Sequence, residues 1–301
     1  MTSIRYNQLG KSAIKLSQVG FGCMSLPEDE KSSTQLLHQA FDKGINFFDT
    51  ADLYNKGQNE ILVGKALKGI RSEVIIATKV GNQWRPDGSG WDWNPKKEYI
   101  LQAVDASLKR LQTDYLDLYQ LHGGTLDDPM DETIEAFEQL KKSGKIREYG
   151  ISSIRPNVIR EYVKQSKIAS VMMQYSLLDR RPEENCLDLL AEHQVSVLAR
   201  GTLAQGLLAG KPPKDYLGYS QEQVHKMAEK IRAVAGNQRT AASVATHYCL
   251  YPPVVATAVL GIRTEKQLNE ALQAATAEPL SSTEWQQLKV TLAPNLYEQH
   301  R

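Results

Sequence analysis

The chain has 301 residues, with 36 Lys and Arg against 35 Asp and Glu, a formal charge of +1. That balance gives no electrostatic footprint for a nucleic acid or another polyanion. No apolar stretch approaches the ~18 residues of a membrane span, and none forms a signal sequence over residues 1–7. Cys23, Cys186 and Cys249 are far apart, without Cys-x-x-Cys or metal-ligand spacing, which suits a reduced, cytoplasmic protein with no disulfide framework and no metal site.

Residues 4–9 and 13–16 are partly alternating segments around Gly10-Lys11 and predict a β-hairpin. Residues 18–22 form a strand ending in Gly20-Phe21-Gly22. Ser32-Ser33-Thr34-Gln35 has capping-box spacing and opens a helix that Gly44 stops. A buried strand over 45–48 follows and ends on Asp49, with Tyr54 in the loop beyond. A helix over 59–67 leads to a strand over 74–77 that ends in Thr78-Lys79. Asn94-Pro95 begins a third helix, with the proline in the first helical position. A strand over 115–121 ends in His122, and Asp128-Pro129 starts the next helix. Strands follow over 146–151, 171–175, 195–199 and 254–260, with helices over 156–165, 182–193, 240–250 and 264–275.

Strict alternation of strand and helix implies a parallel sheet covered by helices. Eight such units without an internal linker predict an α/β fold of the (β/α)8 TIM barrel type, one domain over 1–301. The N-terminal β-hairpin and two additional helices, over 221–235 and 281–292, stand outside the repeat.

In such a barrel the strand C-termini face the active-site mouth. Those positions hold Asp49, Lys79 and His122 on three consecutive strands, with Tyr54 just past the first. A carboxylate at the end of a buried strand needs a counter-charge, and Lys79 supplies it. An ammonium beside a tyrosine favours the phenolate and pulls the phenol below its usual value near ~10. A histidine nearby can orient a carbonyl oxygen. The set suits protonation of an oxygen as negative charge develops on it, the step that carbonyl reduction by a hydride donor requires.

Phe48-Asp49-Thr50-Ala51-Asp52-Leu53-Tyr54, Thr78-Lys79 and Leu118-Tyr119-Gln120-Leu121-His122 resemble signatures of the aldo-keto reductase family. So do the segments from Gly144 to Ser152 and from Ala204 to Leu208. The resemblance is to the bacterial type related to potassium-channel β subunits. It implies Tyr54 as general acid, Asp49 and Lys79 as the pair that tunes it, and His122 as the residue that positions the carbonyl. It implies a nicotinamide cofactor, NADPH with NADH as the second choice, bound without a Gly-x-Gly-x-x-Gly loop. Cofactor positions carried over are Gly22, Ser152, Ser153, Gln174, Arg200, Gly201, Thr202, Leu203, Gln205, Gly206, Gly261, Arg263, Gln267 and Glu270. Arg263 matches the residue that grips the adenosine 2′-phosphate, which favours NADPH. Three positions depart from the family pattern: Ser153 stands for an Asn, Arg200 for the Tyr that stacks on the nicotinamide, and Ala271 for an Asn near the adenine.

Residues 81–94 form a loop holding Trp84, Trp91 and Trp93, and aromatics beside an active-site mouth suit an apolar substrate pocket. The short tail after Leu292 suggests an open site and small or mid-sized aldehydes. The expected partner is a small carbonyl compound, with no nucleic acid and no membrane. Two competing readings are a cofactor-sensing regulatory subunit with slow or vestigial turnover, and a barrel lyase or isomerase that anchors a sugar phosphate on Arg263.

Overall fold

Eight short apolar runs pair in parallel and close on themselves, leaving no sheet edge. The computed structural model describes residues 3–301, so Met1 and Thr2 of the span predicted from sequence lie outside the described residues. A first antiparallel hairpin joins β1 (Tyr6–Gln8) and β2 (Lys15–Ser17). The barrel begins with β3 (Val19–Gly22), β4 (Phe47–Asp49) and β5 (Ile75–Val80). A second antiparallel hairpin, β6 (Asn82–Trp84) and β7 (Trp91–Trp93), is inserted next. The barrel resumes with β8 (Leu116–Leu121), β9 (Ile146–Ser152), β10 (Ser170–Gln174), β11 (Ser196–Arg200) and β12 (Val255–Gly261), and β12 pairs back onto β3.

Helices α1 (Glu30–Asp42), α2 (Gln58–Leu67), α3 (Lys97–Leu111), α4 (Met130–Lys142), α5 (Pro156–Gln165) and α6 (Cys186–Glu192) follow the strands in turn. The additional α7 (Gln221–Ala235) precedes α8 (Ala241–Leu250) and α9 (Glu265–Thr276), and α10 (Ser282–Lys289) is the second addition. The TIM barrel, its N-terminal hairpin and both additional helices agree with the sequence expectation.

Several details differ from that expectation. Helix α1 starts before Ser32, because the Asp29 carboxylate accepts from Ser32 N at 2.7 Å and caps the helix earlier. Pro95 is not the first helical residue. Asn94 Oδ1 accepts from Lys96 N at 3.2 Å in a local turn, and α3 begins at Lys97. The stretch 81–94 is no plain loop but the β6–β7 hairpin, turned at Arg85-Pro86-Asp87-Gly88.

The barrel interior is filled by Phe47, Ala77, Leu118, Met172 and Leu198, and Leu9 and Leu16 of the first hairpin join the same cluster. Each fully buried Phe or Leu contributes about 1.5–3 kcal/mol relative to exposure. Gly10 N donates to Ser196 Oγ at 2.8 Å and Ser17 N to Asn46 Oδ1 at 2.8 Å, tying the hairpin across the strand N-termini. Apolar helix faces, including Leu37, Val63, Phe137, Ile159 and Leu268, build a second layer outside the strands. One end of the barrel is thereby plugged, and the mouth lies at the strand C-termini. Among the described residues no helix is long and apolar enough to cross a membrane, and no group of His, Cys, Asp and Glu could hold a metal ion.

Candidate active site

Three adjacent strands bring the titratable set together. β4 ends on Asp49, and Lys79 lies near the end of neighbouring β5. Lys79 Nζ donates to both Asp49 oxygens at 2.8 and 2.7 Å, to the Thr50 carbonyl at 2.7 Å, and to Tyr54 Oη at 3.4 Å. Its side chain is only 1% exposed, so this ammonium depends on its acceptors. The turn after β4 returns Tyr54 over it, with Tyr54 N donating to the Ala51 carbonyl at 3.2 Å. Asn55, Lys56 and Gly57 then take positive φ values of 46°, 53° and 83° before α2, a strained run directly behind the tyrosine. His122 follows β8, its backbone N–H bonded to the Val80 carbonyl at 2.7 Å. Its ring meets Tyr54 edge-on, centroids 5.9 Å apart at 80°.

The electrostatics correct one expectation. Burial pushes the Tyr54 phenol above its ordinary value, and Lys79 offsets that only in part, so the phenol stays protonated at neutral pH. The ammonium alone would pull the phenol down, but desolvation outweighs it. Burial, then Lys79 and Arg200, hold His122 down at about 3, so its imidazole is neutral. For Lys79, burial pulls downward, but Asp49 and Tyr54 outweigh it and the ammonium persists.

These residues line a cleft of about 1370 Å³ at the barrel mouth. Every cofactor position carried over from the resemblance lies on its wall: Gly22; Ser152 and Ser153 at the end of β9; Gln174 and Arg200 at the ends of β10 and β11; Gly201, Thr202, Leu203, Gln205 and Gly206; and Gly261, Arg263, Gln267 and Glu270. Gln174 Nε2 donates to Tyr216 Oη at 3.1 Å, and Arg200 Nη1 to Gln174 Oε1 at 3.4 Å. Ala204, Gln205 and Gly206 take positive φ values of 46°, 59° and 93°. A Cβ at Gly206 would lie 2.9 Å from the Lys211 side chain, so the wall there is tight as well as left-handed. Arg263 is exposed at the start of α9, where Thr264 Oγ1 caps Gln267 N at 3.2 Å and free helical N–H groups favour an anion. A cleft lined by amide and hydroxyl donors and by a cation beside a helix N-terminus fits a nicotinamide dinucleotide.

The tryptophans divide. Trp91 and Trp93 line the cleft, while Trp84 is not among its lining residues and lies under Lys56 Nζ, 5.3 Å from the ring centre. Trp93 is fixed by its Nε1 bond to Asp128 Oδ1 at 2.9 Å and by close approach to Gly81, where a Cβ would come within 2.5 Å of the ring. Tyr216, Lys211 and Lys266, none of them expected from the sequence, lie on the same wall. Lys266 stands next to Gln267, itself an expected cofactor residue, so a count of cations around Arg263 would have found it. Tyr216 and Lys211 come from the long β11–α7 connection, which carries no local signal.

Asp52, in the loop between Asp49 and Tyr54, is buried with Oδ1 unpartnered. Burial, and then the Glu60 charge, push its carboxyl up to about 8. The folded state keeps this proton while the unfolded chain releases it near ~4, so stability falls as pH rises between those values. Asp52→Asn is therefore expected to stabilise the protein by roughly 1–3 kcal/mol at pH 8 and by much less at pH 4. Chemical denaturation at the two pH values checks this; equal effects at both would contradict it.

Comparison with known proteins gives the class and then the family. The chain is similar to an oxidoreductase of Bacillus subtilis, the uncharacterised YqkF, at 48% identity over 307 residues, covering 99% of this chain and all of that one. The holo structure of the aldo-keto reductase AKR11C1 from Bacillus halodurans superposes with a TM-score of 0.94 at 51% identity, over 99% of each chain. An NADH-specific methylglyoxal reductase of Escherichia coli is 34% identical over 229 residues, 69% of this chain and 70% of its own. The aldo/keto reductase family model matches residues 18–292, and the chain belongs to that family of carbonyl oxidoreductases.

Proposed function

We propose that the protein reduces aldehydes or ketones to alcohols with NADPH, and that Tyr54 delivers the proton. The observation that carries this reading is the buried Lys79 ammonium, shared between Asp49 and Tyr54 Oη with His122 edge-on to the same phenol. When bound, the nicotinamide would supply a hydride to the carbonyl carbon. The chain does the rest. A neutral His122 can donate a hydrogen bond to the substrate oxygen and hold it beside Tyr54. Burial keeps the Tyr54 proton in place until negative charge develops on that oxygen. As the proton leaves, Lys79 stabilises the phenolate, and Asp49 with the Thr50 carbonyl keeps Lys79 charged and fixed. With its pKa near 3, His122 contributes no inflection to the rate in the neutral range.

Ser152, Ser153 and Gln174 would hold the carboxamide, and Arg263 with the start of α9 the 2′-phosphate. Trp91 and Trp93 would face the substrate and suit an apolar or aromatic carbonyl compound. NADH remains the second cofactor reading, since one relative is named for it. The complete buried set favours turnover over a purely cofactor-sensing role.

Replacing Arg263 with leucine is expected to weaken NADPH by about tenfold or more, the worth of one charge-assisted contact, and to leave NADH nearly unchanged. Calorimetric titration of both cofactors on both proteins measures this. Equal affinities for NADPH and NADH in the wild type would remove the phosphate-gripping role.

A further inference from the structure

We propose that Arg200 is an electrostatic selector between the two redox states of the cofactor: an uncompensated guanidinium at the barrel mouth that weakens retention of the oxidised nicotinamide and so favours the reductive direction. The inference rests on the reading of the cleft as a nicotinamide site.

Arg200 is the last residue of β11, half-buried on the cleft wall. Its side-chain contact is to an uncharged partner, the Gln174 carbonyl oxygen, and among the described residues no carboxylate forms an ion pair with it. Lys79, the cation near the end of β5, is neutralised by Asp49 at 2.7 Å. Of these two strand-end cations, only Arg200 is left without a carboxylate. Its field reaches the reacting groups, lowering the pKa of His122 and acting in the same direction on Asp49 and Tyr54.

The chemistry fixes where the cofactor ring must go. A carbonyl oxygen held by Tyr54 and His122 places its carbon in the same mouth, and a hydride donor has to approach to about 3–3.5 Å. In the reduction, the carbonyl carbon gains the hydride with its electron pair, the oxygen gains the Tyr54 proton, and the phenolate regains a proton from solvent. The ring passes from neutral to a charge of +1. A fixed cation within reach of the reacting groups therefore opposes the oxidised ring and leaves the reduced one unaffected. In a partly desolvated cleft, two like charges several ångströms apart repel enough to change a dissociation constant by about tenfold.

Calorimetric titration of NADPH and NADP+ on the wild type, Arg200→Met and Arg200→Lys tests this without turnover. NADP+ is expected to bind the wild type about tenfold more weakly than NADPH. Arg200→Met should bring the two affinities close together, and Arg200→Lys, which keeps the charge, should preserve the gap. Equal affinities in the wild type, or an unchanged ratio in Arg200→Met, would overturn the selector and leave the reductase reading intact. Equal narrowing in both variants would also overturn it, since shape and not charge would be responsible. A wild type that binds neither nucleotide would overturn the reductase reading itself. The wild-type ratio stands even if a variant does not fold.

Discussion

Tyr54→Phe is expected to lower turnover by about 10²–10⁴-fold, the usual worth of a positioned proton donor, with little change in NADPH affinity. The variant removes one oxygen and nothing of the ring that packs edge-on against His122. Lys79 keeps its three other acceptors, Asp49 Oδ1 and Oδ2 and the Thr50 carbonyl, so the pair beneath the phenol stays intact. Loss should therefore fall on kcat and not on folding or cofactor binding. Steady-state reduction of an aromatic aldehyde, alongside calorimetry with NADPH, separates these. Reduction at near-normal rate would remove Tyr54 from the mechanism.

Lys79→Met should be the most damaging single change to stability at the site. It leaves the Asp49 carboxylate 4% exposed without its counter-ion, a situation that typically destabilises by about 3–5 kcal/mol. Burial already pushes Asp49 upward, with Lys79 the main opposing charge, and in the variant only the smaller opposing effect of Arg200 remains. The carboxyl would then take up a proton to escape the buried charge. The double variant Asp49→Asn with Lys79→Met removes both charges and should recover much of the stability while turnover stays low. Urea unfolding of the single and double variants measures the difference. A single variant as stable as the wild type would mean that the pair is not the anchor described.

The site was legible where a strand end fixes direction. Asp49, Lys79 and His122 each terminate an apolar run, and eight such runs in alternation with helices predict a barrel whose strand ends converge. The cofactor wall was legible through resemblance, and those residues share one cleft because the loops after β9 to β12 open on the same mouth. What escaped depends on tertiary burial or long connections. Asp52 sits in the same short segment as Asp49, and only its tertiary burial, with the Glu60 charge added to it, makes it a protonated acid. Tyr54 departs upward from the ordinary phenol value because desolvation, which no local sequence pattern reports, exceeds the pull of Lys79. The β6–β7 hairpin was hidden by its glycines, although Pro86-Asp87-Gly88 is a turn signal. Its register sets Asn82 opposite Trp93 and Trp84 opposite Trp91, and of these three tryptophans only Trp91 and Trp93 reach the cleft wall.

The central claim is that the assembled cleft carries out NADPH-dependent carbonyl reduction. Its most direct test is a single turnover: wild-type protein preloaded with NADPH is mixed with an aromatic aldehyde, and the reduced-nicotinamide absorbance is followed together with alcohol formed. The account predicts a first-order loss of absorbance matched one-to-one by alcohol. Tight NADPH binding with no loss of absorbance and no alcohol, across a panel of aldehydes and ketones, would contradict it and would favour a cofactor-sensing protein instead.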